Sequence, residues 1–563
     1  MAMNNFSLKT ISSFIMVLLL VSLCYIIIIA IYFHPFFVNF TSSLIGPPED
    51  NMMDFWNNWY SQVTLDSDPR GFFRTNLILY PEGTSLYYHP FTYSNIAILY
   101  IIRKIFLLPI NIPLLVGLHN GLLLLSFYLS AVGAFYLTSR FTKNILSAFV
   151  GGFIFAFSPF HTAHLLHHMH VSTIQYIPFF LFCFFRFNDT RKLRYLAGSI
   201  ILYFLSALSC WYYLVYIGFF LAFYYLFKVI EQRQIFISRL FWSILANVFG
   251  VIILLMPLLI QMVSLGTKRN MYKSGHDVYV ADLAGYLVFH PYHLLSSVSQ
   301  PIWSHFRGNL WEMTVYLGLI NIGLFIWAFI NRHRFQIKEM NFLLWGMIFF
   351  MIVASGPHLY ILGRETIPLP TAIISVVPFV KHVRTPSRAV VFVYLFLGIG
   401  VGLAIDAITD LYSNKKSVLV GCMALILVFI FIDFFPTRLE STLVNCPKAY
   451  NVIKQDPDND FAILDLPKGY YEGNQHMMFQ AACHGRPIVT GTAPREWKHN
   501  LIDILENGDM TKQKKQLMEN KVKYIVIHKH VIENELSLQD VAEYTSNYAT
   551  IYHDDDNMVL RVY

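Results

Sequence analysis

Long apolar runs recur through the first three quarters of this 563-residue sequence, and they restrict the possible folds more than any other feature. A helix that crosses a membrane needs about 20 predominantly apolar residues. Hydrophobic residues make up 56% of the chain and charged residues 13%, whereas soluble domains carry about 25% charged residues. The sequence therefore predicts a multispanning α-helical membrane protein.

The predicted crossings number about eleven. They are residues 11–33, 113–138, 145–160, 171–186, 195–209, 211–228, 241–264, 313–330, 341–356, 388–411 and 417–435. A further apolar stretch, 91–110, is interrupted by Arg103 and Lys104. Charges in the middle of a segment favour a helix that lies along the outer membrane interface, so this stretch is predicted not to cross.

Basic residues indicate the orientation, because Lys and Arg collect in cytoplasmic loops. Five basic clusters lie between predicted spans: Arg140 with Lys143, Arg186 to Arg194, Lys228 to Arg239, Arg332 to Lys338, and Lys415 with Lys416. All five are cytoplasmic if the N-terminus lies inside and the C-terminal tail outside. If 91–110 crossed instead, the loops downstream would break the charge rule. The net charge of +7 needs no nucleic-acid partner.

The composition changes near residue 437, where charges become frequent and apolar runs shorten. Short strands are predicted at 461–466, 524–527 and 559–562, and a helix over 498–520 with a break at Asn507-Gly508. We therefore predict a membrane domain over 1–436, with 34–112 as its first outer loop, and a small extracytoplasmic α/β domain over 437–563. Cys446 and Cys483 lie in this tail and can pair if it faces an oxidising compartment.

An acidic and aromatic cluster follows the first span. Asp50 and Asp54 are four residues apart and share one face of the segment if it is helical. Carboxylates at this place suit metal binding or proton acceptance; the alternative is a solvated cap for a juxtamembrane helix. The rings of Trp56 and Trp59 suit both a membrane interface and the face of a sugar.

The same loop continues into a turn-rich aromatic stretch, residues 79–90, which contains Tyr88 and ends in His89-Pro90. A purely structural link would not need so many polar and aromatic groups. Tyr88 and His89 are therefore candidates for contact with a sugar or a lipid.

Five histidines occur between His161 and His170. His164 and His168 are four residues apart and could share a metal on one helical face, but the glutamate of an HExxH motif is missing. We favour the alternative that some of these histidines hydrogen-bond to phosphate or sugar hydroxyls. The remaining histidines would then only pack at the membrane interface.

A basic segment, residues 381–388, precedes the span at 388–411 on its predicted outer side. Basic residues on the outer side depart from the tendency of Lys and Arg to lie in cytoplasmic loops, so they need an anionic partner. Arg384 and Arg388 are candidates for binding a phosphate, because the guanidinium fork matches phosphate oxygens. The alternative is snorkelling to ordinary phospholipid headgroups.

The order of these motifs resembles a known group. The motifs are the acidic first loop with Trp56-x-x-Trp59, Tyr80-Pro81-x-Gly83, the histidine-rich segment leading to 172–178, then 312–318, Pro368-Leu369-Pro370, Arg384 to Arg388, and the α/β tail. This pattern is similar to the uncharacterised bacterial and archaeal branch of the GT-C glycosyltransferase superfamily. Glu49 stands where many relatives have glycine, and His170 where the branch often has asparagine.

The resemblance implies a GT-C-like membrane fold and an inverting sugar transfer from a polyprenyl-phosphate-linked donor. It implies that Asp50, with Asp54 in reserve, is the base or a metal ligand. Arg384, Arg388, His168 and His164 would then bind the donor phosphate, and Trp56, Trp59, Tyr88 and His89 the sugar or lipid. The resemblance fixes no cofactor: many lipid-phosphate sugar transferases work without a metal, and Asp50 and Asp54 would suit Mg²⁺ or Mn²⁺.

The expected partners are that donor, membrane lipids, and a glycan, lipid or protein acceptor. The expected location is the outer face of the cytoplasmic membrane. The alternative function is a polytopic lipid or glycan transporter or flippase, which predicts ionisable residues in the middle of spans. Here they concentrate near one face, which favours the transferase.

Overall fold

The computed structural model describes residues 8–265, 276–377, 380–467, 471–493, 501, 509–529 and 538–563. The described residues form two compact units. Unit 1 draws on Met1–Val38, Leu122–Met256 and Tyr272–Leu439, and unit 2 on Asn39–Gly121, Pro257–Met271 and Glu440–Tyr563.

Helices dominate the described residues. In chain order they are α1 (Leu8–Tyr32), α2 (Asp50–Ser67), α3 (Tyr93–Ile105), α4 (Ile112–Ser139), α5 (Ile145–Ala156), α6 (Pro159–His167), α7 (Met169–Ser172), α8 (Tyr176–Thr190), α9 (Leu193–Ser209), α10 (Trp211–Gln232), α11 (Ser238–Ser264), α12 (Ser296–Trp303), α13 (Leu319–Ile330), α14 (Met340–Ala354), α15 (Val390–Leu411), α16 (Lys416–Asp433), α17 (Ala449–Lys454), α18 (Tyr471–His484), α19 (Met510–Glu519) and α20 (Leu538–Asn547).

The strands are short. They are β1 (Ser43–Ile45), β2 (Arg74–Thr75), β3 (Thr84–Ser85), β4 (His358–Ile361), β5 (Arg364–Pro368), β6 (Ser441–Leu443), β7 (Ala462–Leu466), β8 (Val522–His528), β9 (Ala549–His553) and β10 (Asn557–Arg561).

The predicted membrane-spanning architecture is confirmed, since each predicted crossing overlaps a helix. Within the described residues, 7 helical segments are long and apolar enough to cross a membrane: Ile15–Tyr32, Ile112–Ser139, Ile145–His167, Trp211–Gln232, Ser238–Ser264, Pro386–Leu411 and Lys416–Asp433. Helices α9, α13 and α14 are shorter but also apolar. The chain is a multi-pass membrane protein. Stretch 91–110 contains α3, whose position along the membrane surface stays a prediction.

Helices α5 and α15 form a close contact in unit 1. A methyl group added at Gly398 would lie 2.7 Å from the carbonyl oxygen of Gly151. Small residues let two helix backbones approach closely. The van der Waals packing that results stabilises helix pairs in lipid, where there is no hydrophobic driving force between helices. Ile154 on α5 and Val401 on α15 are accordingly fully buried.

A buried carboxylate fixes the start of α5. Asp406 of α15 accepts hydrogen bonds from the backbone N–H groups of Lys143 (2.5 Å) and Asn144 (3.2 Å) and from the Ser147 hydroxyl (2.6 Å). The first N–H groups of a helix have no partner within it, and a negative charge there opposes the helix dipole favourably. Asp406 therefore caps α5 from a neighbouring helix.

Unit 2 contains a mixed four-stranded sheet in the order β7-β8-β10-β9. Strands β7 and β8 are parallel, with Leu464 opposite Ile525, and the other pairs are antiparallel. The core beneath the sheet includes Leu464, Ile525 and Leu560. The predicted strands are confirmed. The predicted helix at 498–520 is confirmed over α19, and its break at Asn507-Gly508 lies outside the described residues.

The predicted domain boundary needs a correction, because the first loop belongs to unit 2 with the tail. Strand β1 of the loop pairs with β6, with Leu44 opposite Thr442. The Leu79 N–H donates to the Thr490 carbonyl at 3.0 Å. Helix α2 packs on α18, where the rings of Phe55 and Phe479 lie 5.3 Å apart. Backbone pairing of this kind leaves few signals in the sequence.

A disulfide joins Cys446 and Cys483 in unit 2. The pairing that the sequence left open is therefore present in the structure. It connects the chain before α17 to the end of α18, so it also holds the helix on which α2 packs.

Replacing Asp406 by alanine should destabilise the protein, because the amide groups at the start of α5 would lose their buried acceptor. Unsatisfied buried groups cost about 1–3 kcal/mol each, so we expect a loss of about 2–3 kcal/mol and a clearly lower melting temperature in detergent. Asp410→Ala is the matched control. Asp410 forms an exposed ion pair with Lys143, which is worth less than about 1 kcal/mol. Equal melting temperatures for the two variants would contradict the capping role.

Candidate functional site

The histidine-rich segment forms α6 and the turn after it, in unit 1. The Ser158 hydroxyl caps the helix by accepting the N–H of His161 at 3.4 Å, and Pro159 occupies the first helical position. Both choices suit a helix start. Because α6 ends at His167, the sequence places His164 in its last turn and His168 directly after it.

His164 and His168 face each other. Their Nδ1 atoms lie 3.2 Å apart, and His164 Nε2 lies 3.7 Å from Oε2 of Glu312. All three side chains are buried, with exposures of 0%, 8% and 3%. Their possible ligand atoms lie within 4.8 Å of one another, so the structure brings the two predicted histidines to a carboxylate.

Arg388 is engaged by the same carboxylate. Its Nε and Nη2 donate to Oε1 of Glu312 at 2.9 and 2.5 Å, and the Ser387 hydroxyl donates to Oε2 at 3.0 Å. The guanidinium also stands over the ring of Tyr212 at 4.8 Å. Glu312 thus occupies the Nε and Nη2 edge of the guanidinium, and binding of the donor phosphate by Arg388 stays a prediction.

Arg384 lies half-buried four residues earlier. The intervening Thr385 is held by α10, where the Tyr216 hydroxyl donates to its carbonyl at 3.0 Å and the Tyr212 hydroxyl lies 3.2 Å from its Oγ1. The segment that carries both predicted arginines is therefore fixed to a membrane helix. Arg384 keeps its predicted role as a candidate phosphate ligand.

The neighbouring histidines make structural contacts. His161 lies between two carbonyl oxygens, with Nδ1 2.7 Å from Ala156 O and Nε2 2.7 Å from Ser172 O. His167 stacks on Trp311 at 3.8 Å. These contacts agree with the interpretation that part of the histidine-rich segment serves packing.

The second group of predicted residues lies in unit 2. Asp50 occupies the first turn of α2 and is half-buried, and its Oδ1 accepts a hydrogen bond from Nε2 of Gln475 on α18. Asp54 lies one turn later and is 3% exposed. The segment is helical, so the two carboxylates share one face of α2, as their spacing allowed. Of the two carboxylates, Asp50 is the more accessible.

The predicted sugar-contacting residues are more deeply placed than the sequence suggested. Trp56 has no exposed surface, stacks on Tyr60 at 4.9 Å and meets the edge of His89 at 5.9 Å. Trp59 is 8% exposed. The Tyr88 hydroxyl donates to the Met262 carbonyl. Trp56 therefore packs the first-loop helix, and its predicted sugar contact has no exposed ring face to support it.

His89 is a neutral group in this environment. Its Nε2 lies 2.6 Å from Oδ1 of Asn57, and burial lowers the pKa of its imidazole to about 3. The ring is therefore uncharged near neutral pH and cannot serve as a cation for a phosphate.

Sequence reasoning named Glu312 only within a motif and did not identify its partners. A carboxylate directly before an apolar run signals a buried charge that needs a cation, and Arg388 has the same signal. Gln475 and Tyr212 carry no such signal, because single amides and tyrosines are common in helices.

The fold is shared with solved glycosyltransferases. The apo oligosaccharyltransferase of Archaeoglobus fulgidus superposes with a TM-score of 0.56 at 12% identity, covering 94% of this chain and 72% of that one. The complex of the archaeal oligosaccharyltransferase AglB from Archaeoglobus fulgidus with an inhibitory peptide and a dolichol-phosphate gives 0.52 at 12% identity, covering 93% and 70%. These are proteins of the GT-C superfamily, and this chain has their fold, as its motifs predicted.

The arabinofuranosyltransferase AftD from Mycobacteria superposes with a TM-score of 0.50 at 12% identity, covering 90% of this chain but only 35% of that one. By sequence, the chain belongs to the family described as a domain of unknown function, DUF6311, whose model matches residues 23–434. No curated protein matches the sequence.

Replacing Arg388 by methionine should leave the carboxylate of Glu312 buried without its cation. Breaking one partner of a buried ion pair costs about 3–5 kcal/mol, so we expect a large drop in thermal stability in detergent. The double variant Arg388→Met with Glu312→Gln removes both charges and should recover part of this loss. A double variant no more stable than Arg388→Met alone would contradict a direct pair.

Proposed function

We propose that this chain is an integral-membrane glycosyltransferase that takes a sugar from a polyprenyl-phosphate-linked donor. The observation that carries the proposal is the fold, which matches an archaeal oligosaccharyltransferase over 94% of this chain. The AglB complex contains a dolichol-phosphate. A sugar linked to a lipid phosphate also supplies the free energy for transfer on the outer side of the membrane, where ATP does not drive reactions in the usual way. We propose a hexose or pentose as the sugar, and a glycan, lipid or protein as the acceptor.

Asp50 is the proposed catalytic residue. It is half-buried and therefore accessible to a substrate, and the amide of Gln475 orients one of its oxygens. A positioned carboxylate can take the proton of an acceptor hydroxyl as that oxygen attacks the anomeric carbon. This single displacement inverts the configuration of the sugar. Asp54 is 3% exposed and stays the reserve candidate for this role.

The leaving phosphate gains charge during transfer and needs cationic donors. We propose Arg384 for this role, because Glu312 already binds the fork of Arg388. His164, in the last turn of α6, and His168, directly after it, lie close to Glu312, and they remain candidates for contact with the same phosphate.

We propose that the chemistry takes place on the outer face of the cytoplasmic membrane. The disulfide between Cys446 and Cys483 belongs to unit 2, and disulfides persist in oxidising compartments. Asp50 belongs to the same unit. The five basic clusters that follow the spans favour the same orientation.

Replacing Asp50 by asparagine should lower sugar transfer by at least about 100-fold, because general-base catalysis contributes about 10²–10⁴-fold. The assay is transfer of a labelled sugar from a polyprenyl-phosphate donor by protein reconstituted in liposomes. The donor binding constant should stay close to that of the wild type.

The matched control is Asp68→Asn, an exposed carboxylate in the same loop, which should transfer at the wild-type rate. Transfer by Asp50→Asn at the wild-type rate would remove Asp50 from the mechanism. A reconstituted wild-type chain that transfers no sugar from any lipid-phosphate donor would contradict the proposed function itself.

A further inference from the structure

Two imidazoles and one carboxylate converge in the interior of unit 1. His164, His168 and Glu312 each offer one atom that can bind a metal, and these atoms lie within 4.8 Å of one another. The Nδ1 atoms of the two imidazoles are 3.2 Å apart, so the rings are adjacent. His164 would bind an ion through one ring nitrogen only, Nε2, which lies 3.7 Å from Oε2 of Glu312. Ligand atoms around a tetrahedral zinc, at bonds of about 2.0–2.1 Å, stand roughly 3.3 Å from each other. Small side-chain rotations would bring the three groups to this spacing.

His164 has an unused nitrogen. Its Nε2 is buried and has no hydrogen-bond partner among the described residues, and the side chain has no exposed surface. A buried polar atom without a partner costs free energy and calls for an explanation. This nitrogen lies 3.7 Å from Oε2 of Glu312, too far for a hydrogen bond. An ion bound between them would give His164 Nε2 a partner and would use a second lone pair of Oε2.

The carboxylate is already oriented for such a role. Arg388 holds Oε1 of Glu312, and the Ser387 hydroxyl donates to Oε2. Carboxylate ligands of metal ions are normally held by hydrogen bonds of this kind. Arg388 would act on the ion through Glu312, as a positioning residue.

We propose that His164, His168 and Glu312 bind a divalent transition-metal ion. Two imidazoles favour Zn²⁺ and similar ions, whereas Mg²⁺ prefers carboxylates, carbonyls and water. This set of ligands therefore differs in preferred metal from the carboxylates Asp50 and Asp54, which would suit Mg²⁺ or Mn²⁺. Three protein ligands are typical of sites that keep a position open for water or substrate.

The charges indicate what fills the open position. Glu312 and Arg388 neutralise each other, so a bound divalent ion would leave two positive charges in a buried place. Such charge is tolerated only with a counter-ion. An anionic oxygen, such as hydroxide or a phosphate oxygen, fits this need. Metal binding itself does not depend on the proposed sugar transfer.

The test measures bound metal in the full chain, purified in detergent without a histidine tag. The protein is treated with a chelator, loaded with Zn²⁺, desalted and analysed by mass spectrometry for zinc. Wild type should retain about one Zn²⁺ per chain, and Co²⁺ in its place should give the visible absorption bands of a low-symmetry site. Less than one half of an equivalent in wild type would overturn the proposal.

His164→Gln should weaken zinc binding by more than about 100-fold. Loss of a group that only hydrogen-bonds to a ligand lowers metal affinity by about 10–100-fold, and loss of a ligand itself should lower it further. Glu312→Gln with Arg388→Gln removes a ligand while keeping the site neutral, and should have a similar effect. His276→Gln is the control. His276 is a buried imidazole that bonds the Lys381 carbonyl, and this variant should keep the ion. If His164→Gln retains the zinc ion, His164 is not a ligand and the proposed site is wrong. If the double variant Asp50→Asn with Asp54→Asn loses the ion, the metal binds at those carboxylates instead and the proposed site is also wrong.

Discussion

The carboxylate of Glu312 is the group on which the interior of unit 1 depends. It is 3% exposed, and a buried charge is tolerated only when partners surround it. Arg388 and Ser387 supply those partners from the turn that begins α15. The guanidinium in turn stands over Tyr212 at the start of α10. One ionic contact thus joins the loop before α13 to two membrane helices.

The histidine-rich segment lies beside this contact. The last turn of α6 brings His164 towards Glu312, while His161 and His167 make contacts with backbone carbonyls and with Trp311. The segment therefore divides into a packing part and a part that faces the carboxylate. Ionisable side chains in a membrane domain that have no packing role usually belong to a functional site, and this applies here to His164 and Glu312.

The composition and the apolar runs predicted the membrane helices and the α/β tail, because these are local properties. The pairing of Glu312 with Arg388 joins residues 76 positions apart; each charge beside an apolar run signals a need for a partner, but nothing local says which residue that partner is. The same holds for β1 with β6, whose strands have three residues each. The complete burial of Trp56 could not be predicted from the sequence for a related reason. An aromatic ring suits a sugar face and a core equally well, and only the tertiary fold separates the two.

The most direct measurement of the central claim, that this fold serves a lipid-phosphate-linked donor, is photo-cross-linking with a diazirine-bearing polyprenyl phosphate on purified protein. We expect saturable labelling of the peptide around Arg384, displaced by unlabelled polyprenyl phosphate but not by phosphatidic acid at the same concentration. Labelling that rises in proportion to probe concentration, or that phosphatidic acid displaces equally well, would show that the arginine segment binds ordinary headgroups and would contradict the claim.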